Sequence, residues 1–349
     1  MNRRLFILSS AAVVGGASMF RSFSSELANV FSANPEMVAL IDRTRCDNGM
    51  HVAEPDGKDG GFLYPNPKLR SENPPWNLCQ WSSRFTLAGK PLCISDDGCI
   101  ASFSDESKSI HFRMDDGMLL NETEKKCKSA KKCNENPFDI RMELDGRIEY
   151  DHRIPRAGQA WPHLLLERHF LEKPRITKLR SVHWRIDFRI PASERETGLD
   201  GWNDGLHTAQ FLAYLTLQNL NPEDAGYGDY LWFGVPMFDI RHRHAPRYAA
   251  EDFSTAEKEG TGRMIFLPGA DEYFNDDPHT GQWITINRDI LPLLHESLEA
   301  AWNRGFLKDS RNPDDYRLSM MNIGWEITAP IHAVAEIRNF MISAEKNEI

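Results

Sequence analysis

Four side chains on segments that read as strands have the types needed for acid–base work: Glu167, His207, Tyr214 and Glu326. Such groups work as acid and base when their surroundings push their pKa values apart. Glu326 follows Trp325 in an apolar run, where burial raises a carboxyl pKa. The plainer reading of Glu326 is a hydrogen-bonded scaffold residue. His207 opens a long strand after a Gly-rich loop, and it too has an ordinary structural reading. Strand alternation collects further polar groups around these four. His163, Leu165, Glu167 and His169 share one face; His183, Arg185, Asp187 and Arg189 share a second. Gln210, Tyr214, Thr216 and Gln218 share a third, and Tyr230 and Trp232 a fourth. If those faces lie side by side, His169, Arg185, Asp187, Gln210, Gln218, Tyr230 and Trp232 line one groove. Amides and charges pair with hydroxyls, and aromatic faces stack on C–H patches. Such a groove suits an oligo- or polysaccharide. The alternative is a solvated face with cross-strand ion pairs such as Glu167 with Arg185.

Asp200, Asn203 and Asp204 in GLDGWNDG, with Asp276 and Asp277 in FNDDPHTG, are loop oxygens of the kind calcium takes. Asx turns explain the same composition. No other cofactor is indicated. The chain has no Gly-rich phosphate loop and no G-x-S-x-G elbow. It has no C-x-x-C pair, and His242 and His244 stand among arginines that disfavour a cation. The net charge of −10 comes with no basic domain-wide patch, which excludes nucleic acid as a partner class. Nine Trp in a chain that is 10% aromatic exceed what a core requires, although most of them still read as core.

The elements that must position these residues are short strands in quick succession. WNLCQWSSRFTL, CISDDGCIASFS and SIHFRMDDGMLL precede the central run, and RMIFLP, WITI, YRLSMMNIGWEITAP and HAVAEIRNFMI follow it. IRMELDGRIEYDHRI reads as a hairpin, because Asp-Gly supplies the positive φ values of a tight turn. Asp289 to Gly305 reads as a helix: Ile290, Leu294, Leu298 and Ala301 recur at helical spacing, Pro292 suits the first turn, and Gly305 suits a stop. The class implied is all-β, a two-sheet jelly-roll sandwich with one interposed α-helix and a long irregular N-terminal arm. Residues 1–28 read as an export signal, 29–75 as the arm and 76–349 as the sandwich domain. A short helix is expected within the arm, at Pro35 to Asp42.

The start is basic, then small and apolar from Leu5 to Phe20, the shape of a signal peptide. Arg3-Arg4-Leu5-Phe6-Ile7 resembles the twin-arginine export signal, with Asn2 where Ser or Thr is usual, so the ordinary secretion route stays open. No later segment is long and apolar enough for a helical membrane span. The expected location is periplasmic or extracellular. Six Cys fit an oxidising compartment, and Cys93 with Cys99 and Cys127 with Cys133 are locally attractive disulfide pairs.

Asn322-Ile323-Gly324-Trp325-Glu326-Ile327, followed by a final alternating strand, resembles the end of a concanavalin A-like lectin/glucanase domain. The likeness is one of pattern over roughly residues 76–345. It implies a two-sheet jelly roll with a concave carbohydrate face, and it carries no catalytic signature. Glu143-Leu144-Asp145-Gly146-Arg147-Ile148-Glu149 also resembles the bulged catalytic strand of laminarinase-like retaining glucanases, which implies Glu143 as nucleophile, Asp145 as its modulator and Glu149 as acid/base. The last spacing is one residue longer than in that family, and the Asp-Gly turn signal sits inside the motif.

Three functions follow as expectations. The first is an exported protein that binds a glycan through a concave sheet face. The second is a glycoside hydrolase or polysaccharide lyase on the same scaffold. A lyase would use Tyr214 or His207 as base, with Arg185 or Gln210 neutralising a uronate. The third is a non-catalytic envelope interaction protein.

Overall fold

The computed structural model describes residues 37–42, 46, 48–95, 100–115, 138–253 and 260–347. The export signal, Cys99, Cys127 and Cys133 lie outside the described residues. The first strands are β1 (Met37–Ile41), β2 (Met50–Ala53), β3 (Asp59–Leu63) and β4 (Trp76–Cys79). Next come β5 (Cys93–Ile94), β6 (Ile100–Ser104), β7 (Ile110–Asp115), β8 (Ile140–Asp145) and β9 (His163–His169). The long central strands are β10 (Leu179–Arg195), β11 (Ala209–Asn219) and β12 (Tyr230–Asp239). After them run β13 (Tyr248–Glu251), β14 (Met264–Leu267), β15 (Ile284–Asp289), β16 (Tyr316–Ile327) and β17 (Ile331–Lys346). Two α-helices are described, α1 (Gly146–Glu149) and α2 (Leu291–Asn303).

These strands form two sheets. Sheet A has eight strands in the order β15-β10-β17-β8-β7-β6-β5, with β1 also paired to β17. Sheet B has nine, in the order β13-β14-β12-β11-β16-β9-β4-β2-β3. The pairings are antiparallel except for β2 with β4 and β12 with β14. Alternate residues of the long strands fill one core: Trp184, Ile186 and Phe188 from β10, Phe211, Ala213 and Leu215 from β11, Ile323 and Trp325 from β16. The Trp325 indole donates to the Met142 carbonyl at 3.1 Å and so ties β16 of sheet B to β8 of sheet A. The chain is thus an all-β, two-sheet jelly-roll sandwich, the architecture expected.

Local detail differs in three places. The arm is not irregular throughout: it contributes β1, β2 and β3. Met37–Ile41 is strand rather than helix, because MVALI can zip onto β17 through Val38–Ala344 and Ala39–Ser343. The Asp145-Gly146 step makes no hairpin. Asp145 instead caps α1, accepting from the Arg147 amide at 3.0 Å, a role Asp fills as readily as a turn position. A β-carbon on Gly146 would stand 2.3 Å from the Ala329 carbonyl oxygen, so only glycine lets the chain pass there. Helix α2 stops as expected. Gly305 takes φ +82°, while Phe306 N donates to Ala301 O at 2.9 Å and Gly305 N to Trp302 O at 3.2 Å.

Candidate functional site

The expected groove is split between the sheets. Strand β10 joins sheet A, whereas β9, β11 and β12 join sheet B. Arg185 and Asp187 therefore sit on the outer face of sheet A, away from the other predicted groove residues. Alternation gives the parity of a strand but not the sheet that receives it. Arg185 is exposed. Asp187 accepts from Thr285 and Asn339 at 2.8 Å each and from Arg338 at 3.1 Å. Burial pushes its pKa up, but those hydrogen bonds outweigh it and hold the carboxyl below its usual range.

Several other charges near this face are also paired. Arg141 and Arg189 grip Glu336, and Trp283 lies between Arg338 and Arg189 at 4.1 and 4.8 Å. Glu143 accepts from His332 at 2.8 Å, Asp145 from Arg147 at 2.7 Å, and Glu149 from Ser83, Ser109 and the Arg84 amide. The carboxyls of the glucanase-like motif thus have separate structural partners and line no common cleft.

Two of these groups set an acid limit. Burial and the Arg113 charge push His111 down from 6.5 to about 4. Burial opposes ionisation of Glu143, but its His332 hydrogen bond and nearby cations win and take it from 4.5 to about 2. Both groups bind more protons unfolded than folded between those limits, so each contributes stability at higher pH that is lost on acidification. Stability should fall as pH drops from 6.5 towards 4 through His111, and again from 4.5 towards 2 through Glu143. His111→Gln should flatten the first part in urea denaturation followed against pH. An unchanged slope there would refute the assignment.

Sheet B gathers the remaining predicted residues on its outer face, in rows set by strand register. One row is His163–Glu326–Gln210–Asp239. The next is apolar: Cys79, Leu165, Gly324, Leu212 and Pro236. A middle row runs Asn77–Glu167–Asn322–Tyr214–Gly234. Thr216 then pairs with Trp232, and the last row is Arg317–Gln218–Tyr230. From Gln210 to Gln218 the face extends roughly 27 Å at strand rise.

Each row has its own electrostatics. Asp239 is held below its usual range, burial notwithstanding, by the Arg241 fork. It also takes the Gln210 amide at 2.8 Å, which fixes that side chain. His163 Nδ1 lies 2.9 Å from the Trp161 carbonyl, which can only accept, so Nδ1 carries a proton and Nε2 faces Glu326 at 3.7 Å. Burial pushes the Tyr214 phenol well above its ordinary pKa, and the Glu326 charge adds to the effect. The Tyr214 ring is seated beside Gly234, where a β-carbon would come within 3.0 Å of it. Trp232 stands edge-on to Tyr214 at 5.8 Å and to Tyr230 at 5.2 Å, with its indole N–H on Thr261. Gln218 donates to Gly228 O at 3.2 Å, and His169 is exposed one step beyond Glu167.

Asn322 stands apart from its neighbours. It is 8% exposed, and its Oδ1, itself buried, has no hydrogen-bond partner among the described residues. A buried acceptor left unmade costs free energy. Sequence alternation put Asn322 on this strand, but only its burial singles it out.

His207 and the acidic loop belong elsewhere. His207 is buried, accepts the Asn203 amide at Nδ1 (2.9 Å) and packs on Trp202, so it pins the loop before β11. Asn203 Oδ1 takes the Gly205 amide and Asp204 Oδ1 the Trp202 indole, while Asp200 is exposed. Those two oxygens already serve loop donors, and no cluster of three or more His, Cys, Asp or Glu fit for a metal occurs among the described residues. Among the same residues no helix is long and apolar enough to cross a membrane.

No protein-family model and no curated protein matches the chain. Solved structures align weakly. A thermostable cellulase derived from Cel12A of Rhodothermus marinus is 9% identical, with a TM-score of 0.37, over 76% of this chain and all of its own. A family 12 xyloglucanase from Bacillus licheniformis is 8% identical, with a TM-score of 0.38, over 75% of this chain and all of its own. Endoglucanase 3 of family GH12 from Trichoderma harzianum is 8% identical, with a TM-score of 0.35, over 76% of this chain and 98% of its own. Likeness of that size transfers neither substrate nor residue roles. The fold stands on the two sheets themselves.

Proposed function

We propose that the outer face of sheet B binds an oligo- or polysaccharide and that the protein does so outside the cytoplasm. The observation that carries this is the set of Tyr214, Trp232 and Tyr230 rings braced edge to edge on the same sheet face as Gln210, Gln218, Glu167 and Glu326. A hydroxyl-rich ligand pairs with those amides and carboxylates. The apolar row of Leu165 and Leu212 offers a dry floor for its C–H patches, and Trp232 with Tyr230 offers a stacking wall.

Binding is favoured over cleavage. Glu167 and Glu326 lie on adjacent strands four residues apart in register, roughly 13 Å along the sheet. Glycosidase carboxyl pairs stand about 5–9.5 Å apart. Burial raises the Tyr214 phenol pKa and encloses His207, which argues against either as a lyase base. The second reading, an enzyme, is supported by His163 and Glu326, whose arrangement at one end of the face suits proton transfer.

A glycan array read beside assays for new reducing ends and new unsaturated ends separates these readings. Array binding without product supports a binding protein, and product supports the enzyme. Neither supports an envelope protein that recognises other chains. Tyr230→Ala should weaken glycan binding about tenfold while leaving the melting temperature nearly unchanged, since its ring is half-buried at the end of β12. A parallel loss of stability and binding would make Tyr230 structural.

A further inference from the structure

On sheet A one row runs straight across five strands. Ser102 on β6 pairs with Arg113 on β7, Arg113 with Arg141 on β8, Arg141 with Glu336 on β17, and Glu336 with Arg189 on β10. Three guanidiniums thus stand in line with one carboxylate. Glu336 is used up at the inner end, where Arg141 and Arg189 each take one of its oxygens, at 2.8 and 2.6 Å. Arg113 is left at the outer end. It lies against the His111 ring, with Nε 3.1 Å from Nε2 and an Nη 3.0 Å from Nδ1, contacts of which a neutral ring can accept one. Among the described residues no carboxylate comes within ion-pair distance of it. A guanidinium has five N–H donors, and a neutral imidazole offers one acceptor, so most of Arg113's donors are unspent.

In front of Arg113 the surface falls into a hollow of about 380 Å³, walled by Ser102, Ser104, Lys108, His111 and Glu143. Ser102 and Ser104 point the same way from β6. The Glu143 carboxylate in the wall is engaged by His332. Lys108 stands at the rim as a second cation beside Arg113. The charged part of the row therefore ends on a cation beside an open space.

From this arrangement we infer that the hollow binds an oxyanion, a carboxylate, sulfate or phosphate group, with Arg113 presenting its unspent N–H groups and Lys108 adding charge. The site lies on the opposite sheet from the glycan face, so either assignment can fail without the other.

Calorimetric titration of the full chain with inorganic sulfate tests it. A galacturonate oligomer and a neutral oligosaccharide of equal length serve as the other arms. Saturable sulfate binding is expected, weakened about tenfold or more by Arg113→Gln. Lys108→Gln, at an exposed turn, should weaken it less and keeps the test open if the first variant does not fold. Lys308→Gln, which removes a distant surface charge, should leave it unchanged. Tighter, Arg113-dependent binding of the galacturonate oligomer than of sulfate identifies an oxyanion carried on a sugar. Sulfate binding without oligomer binding identifies a free anion. No saturable binding of either probe, or binding that Arg113→Gln and Lys108→Gln leave intact, overturns the inference.

Discussion

Glu336→Ala should cost this protein about 3–5 kcal/mol of folding stability, the usual result of removing one partner from a buried ionic group. Glu336 is 2% exposed, yet it neutralises two guanidiniums that are themselves mostly covered. Without it, Arg141 and Arg189 face each other and Arg113 along the same sheet row, with no carboxylate left in that row. The Glu143 carboxylate is 3.6 Å from Arg141, but it is committed to His332 and cannot serve all three. A shift in the urea midpoint without change in slope would measure the loss. Replacing the trio by apolar residues of similar volume, as Arg141→Met, Arg189→Met and Glu336→Leu together, should recover most of it. A loss below about 1 kcal/mol in the single variant would mean that water already solvates both guanidiniums as an exposed pair.

Trp232→Ala should weaken glycan binding by about 2 kcal/mol, roughly thirtyfold, as truncating a central aromatic contact does. Trp232 is half-buried, braced edge-on by Tyr214 and Tyr230, and its N–H is already held by Thr261. The ring is therefore fixed before any ligand arrives, and little ordering is lost on contact. Trp232→Phe keeps a stacking face and should retain part of the affinity. Fluorescence titration with the best array ligand reads both variants. An unchanged dissociation constant in Trp232→Ala would place the ligand's path over the His163–Glu326 end instead.

Much of the fold is legible in the residues. Alternation identifies the strands, and Pro292 and Gly305 bracket helix α2 because each suits one end of a helix and not the other. Partnership is not legible. Strand β10 carries the same polar–apolar alternation as β9 and β11, its neighbours in sequence, yet it pairs with β15 and β17. That is why Arg185 and Asp187 fall out of the candidate site while Gln210, Tyr214, Gln218, Tyr230, Trp232, Glu167 and Glu326 stay in it. Asp145 and His207 show a second limit. A capping carboxylate and a loop-pinning imidazole have the same residue types as catalytic groups, and only their bonds to Arg147 and Asn203 tell them apart.

Strand β17 lies between β10 and β8 in sheet A, although it follows both by more than a hundred residues. Strands made early thus flank a gap that only residues 331–346 can fill. Sheet A cannot grow strand by strand during synthesis; its halves must wait for a wedge translated after both. The slow, non-local closure this imposes keeps sheet A open until residues 331–346 have been made.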